Sequence, residues 1–302
     1  MNVHPSAAPR VKGPIVWLDM DQKELDDAYD QEVYAPNRDQ VVVRRIANSE
    51  RARAILGAPQ RAAYGPTEIE KLDIFRGSRP NAPVNVFIHG GAWRRNKAAD
   101  YSVLAEMFVR AGAHYVIPDF ITVDDAGGSL FPMAEQIRRA IAWVYRNAES
   151  FGGDRERIYL TSHSSGSQLG GCMVTTDWRK ENLPADLIKG ALLASGMYDL
   201  KPVRLSKRSL YVKFTDEMEQ ALSAQRHLEF LNTPLILAHG TRETPEFQRQ
   251  TRDFYAAVKG CGKPVELLVG EGYNHFELLE TLANPYGLLG RTALTQMKLA
   301  VV

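Results

Sequence analysis

RIYLTSHSSGSQLGGCMV, residues 157–174, reads as a strand, a tight turn and a helix. Arg157 to Thr161 is an apolar strand-like run, residues 162–166 form a tight turn with small residues at both ends, and Gln168 to Val174 suits a buried helix. A serine at the apex of such a turn is lifted clear of the sheet. The backbone N–H after it and the helix N-terminus then face one point, where a substrate oxygen becoming negative is stabilised. Ser164 occupies the apex; Ser162, Ser165 and Ser167 flank it. The usual G-x-S-x-G pattern is imperfect here, because Ser162 stands at its first glycine.

A second stretch supports this reading. Pro83 to Ile88 is a buried-strand sequence that runs directly into His89-Gly90-Gly91-Ala92-Trp93. Glycines after a strand allow close backbone approach and inward-pointing N–H groups, as an oxyanion hole requires. The candidate donors are the N–H groups of Gly91, Ala92 and Ser165. The plainer alternative is a glycine turn that only closes a strand.

A base and an acid follow in the chain. His275 lies after the apolar strand Val265 to Val269, and Glu243 follows the strand Pro234 to Ala238. Nucleophile, acid, histidine is the chain order of α/β-hydrolases, not of chymotrypsin or subtilisin. In that scheme His275 accepts the Ser164 proton, while Glu243 fixes the imidazole tautomer. Glu246 follows Thr244-Pro245, an N-cap and first-turn signal, so it is assigned to the helix dipole. His239 and His89 read as strand-end scaffold residues, and His163 as a turn residue facing away from the nucleophile. His4, His114 and His227 have no supporting context.

The elbow, HGGAW and Ser195-Gly-Met-Tyr-Asp-Leu200 resemble the kynurenine formamidase (arylformamidase) group of α/β-hydrolases, close to the hormone-sensitive-lipase-like esterases. Tyr64-Gly65, Glu70 to Asp73, Phe151 to Asp154, Pro245 to Gln250 and Leu25 to Asp30 with Tyr34 extend the likeness over roughly residues 20–285. The resemblance implies an α/β-hydrolase fold with a mostly parallel sheet. It also implies a serine hydrolase acting through an acyl-enzyme on an aryl formamide such as N-formylkynurenine, and it is compatible with a homodimer. A formyl carbon carries only hydrogen, so such an enzyme needs little room on the acyl side and a flat slot for the leaving group. Trp93, Tyr273 and Phe276 are candidates for that slot, with plain core packing as the alternative. The alternatives in function are a carboxylesterase or catabolic amidase with another small substrate, or a non-catalytic binding protein on the same fold. Departures from the group are Glu243 where Asp is usual, Ser162 and Ser167 for glycines, and Ile121 to Ser129 where many esterases read DYRLAP.

Composition fits without deciding. A chain of 302 residues, 44% hydrophobic and 24% charged, suits one α/β domain over residues 1–302. A net charge of +1 gives no reason to expect nucleic acid or an anionic membrane as partner; the expected partner is a small amide or ester. There is no signal-peptide-like core, no membrane-spanning run and only two cysteines, so a reducing cytoplasm is expected. No H-E-x-x-H, C-x-x-C or phosphate loop occurs, and neither metal nor cofactor is expected.

The remaining pattern alternates strands and helices. Residues 1–65 read as a helical lead-in, and strands are expected near 70–76, 83–88, 114–118 and 188–195. Met133, Ile137, Ile141 and Val144 mark the core face of a helix. The segment 198–232, with Tyr211, Phe214 and Met218, reads equally as a small cap or a peripheral connection.

Overall fold

The computed structural model describes residues 11–300, so His4 lies outside the described residues. The lead-in is only partly helical. A short hairpin, β1 (Ile15–Trp17) and β2 (Met20–Asp21), precedes α1 (Gln22–Ala28), α2 (Gln31–Tyr34) and α3 (Arg38–Leu56). A strand not expected from the sequence follows, β3 (Gln60–Ala63). QRAA has no β-branched residue; its strand form comes from antiparallel pairing with β4 (Lys71–Phe75) at the sheet edge. Arg61 anchors it, donating to Asp73 at 2.7 Å and to Asp119 at 2.6 Å.

The chain continues through β5 (Ala82–Ile88), α4 (Ala105–Arg110), β6 (His114–Pro118), α5 (Phe131–Asn147), β7 (Gly153–His163) and α6 (Ser165–Val174). Then come β8 (Ile188–Ala194), α7 (Leu200–Leu205), α8 (Asp216–Leu222), β9 (Leu235–Gly240), α9 (Pro245–Gly260), β10 (Val265–Gly270), α10 (His275–Glu280) and α11 (Leu288–Gln296). The eight-stranded sheet has the order β10-β9-β8-β7-β5-β6-β4-β3, parallel except at β4 and β3. It is the α/β-hydrolase arrangement.

Period-two alternation divides the core. Val84, Val86, Ile88 and Val116 pack on the side of α5, α6 and α9, with Met133, Ile137, Ile141, Val144, Leu169, Phe247 and Phe254. Phe87, Tyr115 and Ile117 face the other side, with Phe108, Leu278, Leu289 and Leu294. Both faces being covered explains why β5 is buried along all seven residues.

Strand register then sets the position of the site. Ile88 pairs with Ser162, His163 with Ala194, Ala194 with Ala238, and Gly240 with Gly270. The chain leaves β5 toward β6 on one side and returns to β7 on the other, a switch point of the kind where α/β sheets bind ligands. HGGAW, the Ser164 turn, Ser195, Glu243 and His275 therefore leave adjacent strands at one edge. No helix among the described residues is long and apolar enough to cross a membrane.

Candidate active site

Ser164 sits between β7 and α6 at φ +60°, ψ −128°, a conformation side chains rarely adopt. Close approach makes two glycines necessary. A Cβ on Gly90 would lie 2.8 Å from both the His163 carbonyl oxygen and Ser164 Cβ; one on Gly166 would run into the carbonyls of Ile88 and His89. The two serines that stand in for glycines compensate each other. Ser162 and Ser167 hydroxyls bond at 2.9 Å, and Ser167 donates to the Ala194 carbonyl at 2.8 Å.

Three side chains far apart in sequence meet here. Ser164 Oγ lies 2.8 Å from His275 Nε2, and His275 Nδ1 lies 2.8 Å from Glu243 Oε2. All three are buried, with Ser164 the most exposed at 8%. His275 is the first residue of α10. Asn274 caps that helix by accepting from Phe276 and Glu277, and Glu277 returns a bond to the Asn274 N–H. The Asn274-x-x-Glu277 capping box was present in the sequence as a signal for this helix start.

Glu243 has donors on both oxygens. Oε1 accepts from Ser195 Oγ and from the Gly240 N–H, each at 2.7 Å; Oε2 accepts a longer bond of 3.4 Å from the Gln31 amide. Neither Ser195 nor Gln31 was identified from sequence. Glu246 is in the first turn of α9 and more constrained than a dipole partner. It is fully buried, ion-paired with Arg249 and bonded by Tyr29 Oη at 2.8 Å.

In the loop after β5, Gly91, Ala92 and Trp93 all have positive φ, at 129°, 56° and 63°. The N–H groups of Gly91, Ala92 and Ser165 donate to no acceptor among the described residues. The Trp93 N–H is committed to Ser165 Oγ at 3.2 Å, which ties loop to elbow. Asn96 Nδ2 holds the Gly90 carbonyl at 2.9 Å, and the His89 ring is stacked on Phe120 and Tyr101. Trp93 is buried, with its indole N–H bonded to Gln168 at 3.1 Å and the Arg208 guanidinium 5.4 Å above its ring. Tyr273 is 37% exposed, and Phe276 is half-buried, edge-on to the His275 ring at 5.2 Å. A cavity of about 690 Å³ lies elsewhere, lined by Phe131, Cys172, Leu222 and Phe230, and includes none of these groups.

His163 packs beside His275, their ring centroids 4.4 Å apart. Its Nε2 donates to the His275 carbonyl at 2.9 Å, fixing the start of α10. Burial, then the neighbouring His275, hold His163 well below the ordinary histidine pKa; burial also lowers His89, His114 and His239. In the unfolded chain these groups titrate near ~6.5, so at lower pH the unfolded state binds more protons. Their contribution is complete above that pH and is lost as pH falls toward the folded-state values. The urea midpoint is therefore expected to be lower at pH 5 than at pH 7.5. In His163→Gln, which keeps a donor for the His275 carbonyl, the drop should shrink. A midpoint insensitive to pH over this interval would contradict the assignment.

The family described as BD-FAE matches residues 72–194. The chain is similar to the kynurenine formamidase of Danio rerio, at 28% identity over 92% of this chain and 97% of that protein. It is also similar to esterase LipC of Mycobacterium tuberculosis, at 26% identity over 73% of this chain and 60% of that one. Among solved structures, esterase LipW of Mycobacterium marinum superposes with a TM-score of 0.69 at 17% identity, covering 89% of this chain and 90% of that chain.

Proposed function

We propose that this chain, a kynurenine-formamidase-like α/β-hydrolase close to the hormone-sensitive-lipase-like esterases and itself a serine hydrolase, cleaves a small aryl formamide of the N-formylkynurenine kind. The observation that carries the reading is the unbroken line from Ser164 Oγ through His275 to Glu243, with 2.8 Å at each step.

Ser164 Oγ attacks the formyl carbon as His275 Nε2 takes its proton. The oxygen, now negative, is held by the free N–H groups of Gly91, Ala92 and Ser165. The imidazolium, stabilised by Glu243, gives its proton to the departing aryl amine, leaving a formyl ester on Ser164. Water, deprotonated by the same histidine, attacks that ester. Formate leaves and the serine regains its proton. Phe276, edge-on to the histidine ring, and the partly exposed Tyr273 are the side chains we assign to the leaving-group side; Trp93, buried and bonded to Gln168, anchors the loop.

Selectivity tests the substrate. Initial rates on N-formylkynurenine, formanilide, acetanilide and short p-nitrophenyl esters should show formyl preferred over acetyl by about 10–200-fold in kcat/KM, since one added methyl is worth that much in a confined pocket. Similarity to LipC supports a second reading, a carboxylesterase with the same machinery. Ester cleavage without formate release from either formamide would select it.

A further inference from the structure

One motif has no role in the chemistry so far: Ser195-Gly-Met-Tyr-Asp-Leu200, at the end of β8. We propose that Ser195 is a positioning residue for the catalytic acid, and that residues 195–199 form a bracket built to hold its hydroxyl against Glu243. The inference rests on the reading of Glu243 as the acid.

The hydroxyl is completely buried and donates to Glu243 Oε1 at 2.7 Å, on the oxygen opposite the one that meets His275. Together with the Gly240 N–H it fixes the carboxylate plane. A Glu side chain has one more rotatable bond than the Asp usual at this position, and that freedom must be removed for Oε2 to stay on Nδ1.

Backbone strain also points to Ser195. It is held at φ +56°, where a side chain is disfavoured and glycine would be easy. Its N–H bonds the Ala238 carbonyl at 2.8 Å, which ties it to the strand before the acid. The residues beyond it secure that geometry. A Cβ on Gly196 would sit 2.5 Å from the Tyr198 hydroxyl oxygen, so the ring folds back over the turn. The N–H groups of Tyr198 and Asp199 both donate to Gln250 Oε1, at 2.6 and 2.8 Å, anchoring the bracket to α9, the helix after the acid. Strain is thus kept where a glycine would relieve it, and what the serine adds over glycine is this hydroxyl.

The test is a double-mutant cycle on the best-turned-over substrate of the panel above. Ser195→Ala and Ser195→Gly should each lower kcat by roughly 10- to 100-fold, the range for a buried hydrogen bond to a charged group, with KM within about twofold. Glycine accepts φ +56° without strain, so Ser195→Gly should melt no lower than Ser195→Ala while losing as much activity; it also serves if the alanine variant folds poorly. In a Glu243→Ala background, Ser195→Ala should cost less than about twofold more, because the partner is gone. Wild-type kcat in Ser195→Ala, recovery of kcat by glycine, or an undiminished loss in the Glu243→Ala background would each overturn the proposal. Wild-type kcat in Glu243→Ala alone would instead remove the acid assignment on which it rests.

Discussion

Ser164→Ala should lose about four to six orders of magnitude in kcat, with folding essentially unchanged. The substitution removes one oxygen and keeps Cβ, so the backbone at φ +60° meets the same contacts. What disappears is the 2.8 Å bond to His275 Nε2 and the atom that would carry the acyl group. The helix behind it is secured independently by Ser167 on the Ala194 carbonyl, so the melting temperature should stay within a degree or two or rise slightly. Residual hydrolysis above the uncatalysed rate is expected, because the free N–H groups of the loop and of Ser165 remain. A fluorophosphonate probe should label the wild-type protein stoichiometrically and leave the variant unlabelled. Wild-type turnover in the variant would end the acyl-enzyme mechanism outright.

The stretches legible in the sequence share one physical property: their signal is local. The β5 and β7 runs are apolar because both sheet faces are covered, and the glycine at 166 is required by the approach of β5. Thr244 and Pro245 start α9 as their types dictate. What stayed hidden depends on partners distant in the chain. β3 is a strand through pairing with β4 and through Arg61, and its own residues favour no such state. Gln31 occupies a four-residue helix whose start is capped by Asp30, and its contact with Glu243 spans 212 positions. Ser195 reaches the acid across 48 positions, and no local pattern encodes that distance. His163 could be placed in the turn, but its bond to the His275 carbonyl requires knowing where α10 begins.

Gly166→Ala should be strongly damaging for so small a change, and its sign is set by two opposing terms. Helix propensity favours alanine in the first turn of α6, by about 1 kcal/mol at most. Against it, the new methyl would lie 2.5 Å from the His89 carbonyl oxygen and closer still to that of Ile88. Both obstacles are backbone. Ile88 is fixed by its register with Ser162, and His89 by its stacking on Phe120 at 4.4 Å, so neither yields as a side chain would. Relief must come from moving α6 away from β5, which separates the Ser165 N–H from those of Gly91 and Ala92. We therefore expect a loss of about 3 kcal/mol or more in stability, read from urea midpoints, and a fall in kcat of roughly 100-fold or more from the misplaced donors. Gly170→Ala is the matched control one turn along the helix. There the methyl would meet Ser162 Oγ at 2.9 Å and Leu193 Cδ2 at 3.0 Å, side-chain atoms that can shift, so its losses should be distinctly smaller. Equal damage from the two substitutions would show that crowding against β5 does not govern the elbow, and the geometric account of the oxyanion donors would fail with it.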